Sequence, residues 1–215
     1  MLHDYVREYI KAIDKPLPEL AETFEKELEF LKQHCDEDHV VLDVGCGAAR
    51  PAINLSPYVK KIYSIDNNQR MVDLALGRLG DAKNIEVRKE NALKTGFPEE
   101  SFDFVYDTYN LLGSIEKEDR QKLINEMARV VKKGGKITNI TWKDDDVTRD
   151  FLGRYYPAIG IQITRMNHYT TETSKGVFDR FRREELKEFY EKAGLKNIEF
   201  YDIGHVWMAI IGEKT

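Results

Sequence analysis

The sequence predicts an α/β fold: a doubly wound, mostly parallel sheet with helices on both faces, finished by a C-terminal antiparallel hairpin. Three observations carry this expectation. Apolar runs of strand length alternate with segments of helical periodicity from residue 40 to residue 142. The first of these runs ends in an acid followed by two glycines at alternate positions, the pattern of a strand passing through a tight turn into a helix. Near the C-terminus, Ile198–Ile203 and Val206–Ile211 flank Gly204-His205 with no helix between them. Two strands that close pair antiparallel, because a parallel crossover needs about a dozen or more residues.

The elements follow in order. Val6, Tyr9, Ile10 and Ile13 share one helical face, and Leu17, Leu20, Ala21, Phe24, Leu28 and Leu31 share another, with Pro16 and Pro18 marking the junction. Residues 1–35 thus read as an N-terminal helical cap, ahead of a main domain over 36–215. Within that domain Val40–Val44 reads as strand, Arg50–Ser56 as a short helix, Lys61–Ile65 as strand and Gln69–Leu79 as helix. Ile85–Arg88 and Phe102–Tyr106 read as the next two strands. Asp119–Val131 carries Leu123, Ile124, Met127 and Val130 at helical spacing. Lys132-Lys133-Gly134-Gly135 then places cations and glycines where a helix C-terminus favours them. Lys136–Trp142 is the fifth strand, and Arg183–Ala193 is the last helix. Residues 143–176 are polar with scattered aromatics and no clear period, and are expected to form an irregular insertion.

Composition narrows the function classes. The chain has 215 residues, 33 Lys plus Arg against 38 Asp plus Glu, and a net charge of −5. A mildly acidic chain without a basic block gives no support to nucleic-acid binding, which needs clustered cations. No apolar run approaches the ~20 residues that cross a bilayer, and the N-terminus shows no basic-then-apolar signal pattern. Two cysteines, Cys35 and Cys46, point to a reducing compartment rather than a disulfide framework. The expected location is cytoplasmic, without membrane association. No His, Asp, Glu or Cys cluster has metal-ligand spacing, so no metal is expected.

The chemistry is concentrated around the first strand. Gly45 and Gly47 let backbone approach a ligand closely. Asp66 stands 21 residues past Gly45, at the tip of the second strand. An acid there is placed to accept hydrogen bonds from ribose hydroxyls. The pair argues for a nucleoside-containing cofactor. Two structural roles compete: Asp43 as a cap for its own turn, and Asp66 as an N-cap for the following helix. Cys46 reads equally as packing, since nothing nearby would activate a thiol.

With these residues in place, the chain resembles the class I S-adenosylmethionine-dependent methyltransferases, of the small-molecule type, over most of residues 36–212. The family's acid-x-Gly-x-Gly-x-Gly motif corresponds to Asp43-Val44-Gly45-Cys46-Gly47-Ala48-Ala49. Ala49 replaces the third glycine and is expected to take an ordinary backbone conformation. A nicotinamide fingerprint would need glycine where Arg50 stands. Lys89-Glu90-Asn91-Ala92 and the following Gly96–Asp103 segment resemble the adenine-contacting loop leading into strand four. Glu126–Lys136 resembles the family's helix-turn into strand five. The resemblance implies a Rossmann-like fold and S-adenosylmethionine as cofactor. It places Gly45 and Gly47 at the amino-acid end, Asp66 at the ribose and Asn91 with Ala92 at the adenine, with Asp43, Cys46 and Asn67 as further cofactor-binding candidates. Asn91 has an ordinary turn role as its rival. Asp107, ending strand four, would lie near the transferred methyl.

The acceptor is expected to be a small molecule. Its candidate contacts are Tyr109, Trp142, Arg154, Tyr156 and His168, a mixture suited to an aromatic or anionic compound. Candidate bases are Tyr109, His168 and His205, by residue type alone. Asp107-Thr108-Tyr109-Asn110 lacks the paired prolines of nucleic-acid amino-methyltransferases. The N-terminal helix, with Tyr5 and Tyr9, resembles a lid, and its acidic character argues against quinone or sterol acceptors at a membrane surface. Alternatives are a non-catalytic cofactor-binding module acting through a protein partner, a methyltransferase acting on a protein, and a nicotinamide-dependent oxidoreductase.

Overall fold

The computed structural model describes residues 6–215; Tyr5 lies outside them. Two helices, α1 (Val6–Asp14) and α2 (Pro18–Gln33), precede the alternating region. That region runs β1 (Val40–Val44), α3 (Arg50–Leu55), β2 (Lys61–Asp66), α4 (Gln69–Arg78), β3 (Ile85–Lys89), β4 (Phe102–Asp107), α5 (Leu111–Ser114), α6 (Arg120–Val130) and β5 (Val131–Trp142). Next come α7 (Asp146–Ile159) and three short strands, β6 (Ile163–Met166), β7 (Thr170–Thr173) and β8 (Gly176–Asp179). The chain closes with α8 (Arg183–Lys192), β9 (Lys196–Ile203) and β10 (Trp207–Glu213).

Seven strands form one sheet in the order β3-β2-β1-β4-β5-β10-β9. The first five run parallel, and β10 inserts antiparallel between β5 and β9. Strand order reverses between β1 and β4. In open α/β sheets such a reversal leaves a crevice at the carboxyl ends of the strands, because the loops there diverge to opposite faces.

Each face of the sheet packs its own core. Val41, Ile62, Phe104 and Tyr106 face Leu20, Phe30 and Leu31 of α2 and Leu55 of α3. Leu42, Val44 and Val105 face Leu123, Ile124 and Met127 of α6 and Leu186 and Tyr190 of α8. The alternation of Val41 and Leu42 between the two is the period-2 pleat of a doubly covered strand.

Two expectations are corrected. Residues 143–176 are regular rather than irregular: α7 occupies 14 of them, and β6–β8 form a separate antiparallel sheet. Phe151, Leu152, Tyr155, Tyr156 and Ile159 line one buried face of α7 at helical spacing. Gly153 and Pro157 interrupt that pattern in the sequence. Pro157 is tolerated because it falls in the last turn before Gly160, whose φ of 92° ends the helix. The Asp145 side chain caps the other end, accepting from Thr148 N–H at 2.7 Å. The second correction concerns Lys132–Gly135. α6 passes directly into β5 at Val131, and these four residues bulge from the strand, with pairing to β4 jumping from Phe102↔Val131 to Phe104↔Lys136. The bulge brings Lys132 Nζ within 2.7 Å of Asp103 Oδ1.

Candidate functional site: a cleft at the strand reversal

A cavity of about 220 Å³ opens at the carboxyl ends of β1, β2 and β4. The glycine turn forms its floor. Gly45 and Gly47 have φ of 68° and 53°, a region that glycine enters without steric cost. A Cβ on Gly47 would lie 2.6 Å from the Tyr9 hydroxyl, and one on Gly45 would lie 2.7 Å from Leu111 Cδ2. A side chain at either position would have to displace Tyr9 or Leu111 on a strained backbone, so with glycine there the backbone itself faces the cleft.

Ala49 takes φ of 56°, not the ordinary conformation expected of a non-glycine residue. The turn keeps the left-handed shape that glycine favours, at a cost of about 1–2 kcal/mol. Burial of the Ala49 methyl in the core offsets part of that cost.

Asp66 ties the turn to the end of β2. Its Oδ2 accepts the Gly47 N–H at 3.0 Å and its Oδ1 accepts the Asn68 N–H at 2.8 Å. Burial pushes the carboxyl up, and those two N–H groups oppose the shift. A carboxylate offers about four lone-pair sites, so ribose hydroxyls can still be received. The N-cap of α4 is Asn68, which accepts from Arg70 N–H, and Asp66 stands just outside it.

Of the sequence-derived cofactor residues, Gly45, Gly47, Asp66, Asn67, Asn91 and Ala92 line the cleft. Asn91 also keeps its turn role, its Oδ1 accepting from Leu93 N–H at 2.9 Å. Asp43, Cys46 and Asp107 are not among the lining residues. Asp43 points under the turn toward α2 and α3, where Ser64 donates to it at 3.3 Å and burial pushes its carboxyl up to about 8. It makes none of the turn-capping bonds to backbone; Asp66 supplies that contact. Asp107 points to the opposite face, where the Asn139 amide donates to it and burial raises its carboxyl well above the usual range. The pleat explains the difference, since a strand-end side chain pointing into a covered face cannot also reach the crevice. Cys46 is buried and its thiol is pushed far up by burial, the profile of a packing residue.

Among the acceptor candidates only Tyr109 lines the cleft. Trp142 and Tyr156 are buried in the aromatic core under α7, with Tyr156 stacked on Phe178 at 5.4 Å. Arg154 pairs with Glu19 at 2.9 Å. His168 meets Arg149 at 2.8 Å on an exposed loop, and His205 sits 3.3 Å from Glu22. Arg154, Tyr156 and His168 belong to the insertion and His205 to the hairpin, whose folding turns them away from the strand reversal; Trp142, at the end of β5, is buried behind Tyr109. Tyr9, assigned by sequence to a lid helix, joins the wall through an edge-on contact with Tyr109 at 5.3 Å.

Sequence reasoning passed over Leu111, Met71 and Thr108, which also line the cavity. Their common signal is position: each lies within five residues after a strand that ends at the reversal. The lining carries Asp66, Glu90, Glu116 and Asp119, and among the described residues no Lys, Arg or His. A pyrophosphate-bearing dinucleotide would find no cation here, whereas a sulfonium nucleoside, which carries positive charge, suits the acidic wall. The glycine floor, the acid at the tip of β2 and the Asn91-Ala92 edge fit S-adenosylmethionine.

Comparison with known proteins agrees. A family described as a methyltransferase domain matches residues 41–135. An uncharacterized methyltransferase of Bacillus subtilis (strain 168) is 32% identical over 105 residues, 48% of this chain and 40% of that protein. The demethylmenaquinone methyltransferase of Oceanobacillus iheyensis is 27% identical over 169 residues, 74% of this chain and 70% of that protein. In fold, a methyltransferase from Aquifex aeolicus superposes with a TM-score of 0.71 at 23% identity, covering 97% of this chain and 98% of that one. Glycine floor, the acid at the tip of β2, sheet order and matched segment converge: residues 41–135 match a methyltransferase domain, on a fold shared with an S-adenosylmethionine-dependent methyltransferase.

Proposed function

We propose that the protein transfers the methyl group of S-adenosylmethionine to a small, uncharged or cationic, largely aromatic acceptor. The observation that carries this reading is the cleft wall, where the Tyr9 and Tyr109 rings meet beside the glycine floor and the polar rim is acidic. Flat apolar molecules pack well on such rings. An anionic acceptor loses support because Arg154 and His168 stand outside the cleft. The name of the Oceanobacillus iheyensis relative, a demethylmenaquinone methyltransferase, supports the small-molecule class.

The chemistry asks little of side chains. S-adenosylmethionine, held by the Gly45–Gly47 turn, Asp66 and the Asn91–Ala92 edge, would supply an electrophilic methyl to a lone pair of the acceptor. Alignment of the two reactants and exclusion of water can supply ~7–11 kcal/mol of barrier reduction. The small cleft, closed by Tyr9 on one side and Leu111 on the other, serves that purpose. The test is an untargeted small-molecule screen with labelled cofactor. A low-molecular-weight product heavier by one methylene, formed only with the protein, is expected. Label confined to protein would replace the proposal with a protein acceptor, and no transfer to any compound would favour a non-catalytic role.

A further inference from the structure

We propose that Asn110 is a positioning residue for the cofactor: from behind the cleft wall it fixes Tyr109 and Leu111 against the glycine floor. The inference rests on the S-adenosylmethionine assignment and goes beyond it to a residue that does not touch the cleft.

The backbone after β4 does something unusual. Tyr109 and Asn110 have φ of 58° and 64°, two consecutive non-glycine residues in the left-handed region. Asn tolerates that region; a bulky Tyr does so only where its surroundings impose it. Asn110 makes the imposition. It is 1% exposed, and all its polar groups are engaged. Its N–H donates to Ile140 O at 3.1 Å, and its own carbonyl accepts from Gly113 N–H at 3.2 Å. Its side-chain amide donates to Asp179 O at 3.1 Å. Its side-chain oxygen accepts from the Thr141 hydroxyl and from Trp142 N–H at 3.4 Å. These partners belong to β5 and β8, so Asn110 is clamped between the main sheet and the small one.

The clamp determines where its neighbours point. Gly113 lies so close to Asp179 O and the Asn110 amide that a Cβ there would collide with both, which presses α5 onto β8. Leu111 is thereby held over Gly45. On the other side, the Tyr109 hydroxyl pairs with the Tyr155 hydroxyl of α7, and its ring meets Tyr9 at 5.3 Å and Trp207 at 5.4 Å. Asp179 is itself anchored, pairing with Arg120 at 2.6 Å. The small sheet and α7 therefore meet the cleft wall at its glycine end, β8 through Asn110 and α7 through Tyr109. The opposite end, lined by Asn67, Asn91 and Ala92, has no part in the clamp.

That asymmetry makes the test. Isothermal titration of S-adenosylmethionine and of adenosine would be measured on the wild type and on Asn110→Gly, Asn110→Asp and Thr141→Val. Glycine retains access to the left-handed backbone, so Asn110→Gly removes the clamp without forbidding the loop shape. Asn110→Asp sets a carboxylate against the Asp179 carbonyl. For both, S-adenosylmethionine affinity is expected to fall about tenfold or more while adenosine stays within about twofold. Thr141→Val, which deletes one hydroxyl donor, is expected to show the same split in weaker form and carries the test if the others do not fold. A general loosening would weaken both ligands in proportion, and that result, or unchanged affinity for S-adenosylmethionine, overturns the role of Asn110 alone. A wild type that binds neither ligand would bring down the cleft assignment and this proposal together.

Discussion

Asp66 Oδ2 accepts the Gly47 backbone N–H at 3.0 Å, joining the tip of one parallel strand to the turn that leaves its neighbour. Within the protein the carboxylate holds the turn; its remaining lone pairs face the cleft, where we propose that they receive ribose. Asp66→Ala removes both. The fold should survive, because the sheet and its two cores do not depend on this contact. S-adenosylmethionine affinity should drop about 10- to 100-fold, the loss of one charge-assisted hydrogen bond of about 1.5–3 kcal/mol. Titration calorimetry on the folded variant measures it; unchanged affinity would show that the cofactor lies elsewhere.

Gly47→Ala tests the floor. The added methyl would stand 2.6 Å from the Tyr9 hydroxyl, on a backbone with φ of 53°. Affinity for the cofactor should fall about tenfold or more. Adding Tyr9→Ala removes the collision but leaves the backbone strain, so the double variant should recover only part of the loss. Full recovery would mean that the left-handed conformation is unimportant here.

Asp43 sets a pH dependence whose sign follows from burial. Its folded carboxyl titrates at about 8, against about 3.9 in an unfolded chain. The folded state therefore holds a proton that the unfolded state has lost, and stability declines as pH rises between these values, by up to about 1.4 kcal/mol per pH unit for this one group. Asp43→Asn cannot titrate, so its chemical-denaturation stability should vary less from pH 5 to pH 8 than that of the wild type. Parallel curves for the two proteins would contradict this assignment.

Arg120 and Asp179 form a buried pair at 2.6 Å, with both side chains almost inaccessible to water. Arg120→Ala removes the nearer cation from the carboxylate, leaving Thr170 Oγ1 at 2.6 Å and the more exposed Lys117 Nζ at 3.6 Å. Removing one partner of a buried pair costs about 3–5 kcal/mol. A melting temperature lowered by several degrees is expected. A change near zero would mean that water reaches Asp179 easily.

The local sequence was sufficient for the parts of this protein that depend on short-range pattern. Strand alternation, the helices α1 to α4 and α6, the glycine turn, the acid at the tip of β2 and the terminal hairpin are all written in short local runs, where sterics and periodicity act directly. So is the cofactor class, because the Gly45–Gly47 turn and Asp66 stand at the ends of adjacent parallel strands whose pairing the alternation implies.

Tertiary structure alone decided which side chains reach the crevice. Asp43 and Asp107 end strands on either side of the reversal, yet the pleat turns one toward α2 and the other toward α6, and both are buried. His168, Arg154 and Trp142 had suitable chemistry in sequence, but the first two are carried away from the cleft with the insertion, and Trp142, at the end of β5, is buried behind Tyr109. Conversely, Asn110 looked like an ordinary loop residue until β5 and β8, distant along the chain, closed around it. Contacts between segments far apart in sequence depend on how whole faces pack, and that information is spread over the entire core rather than held at any one position.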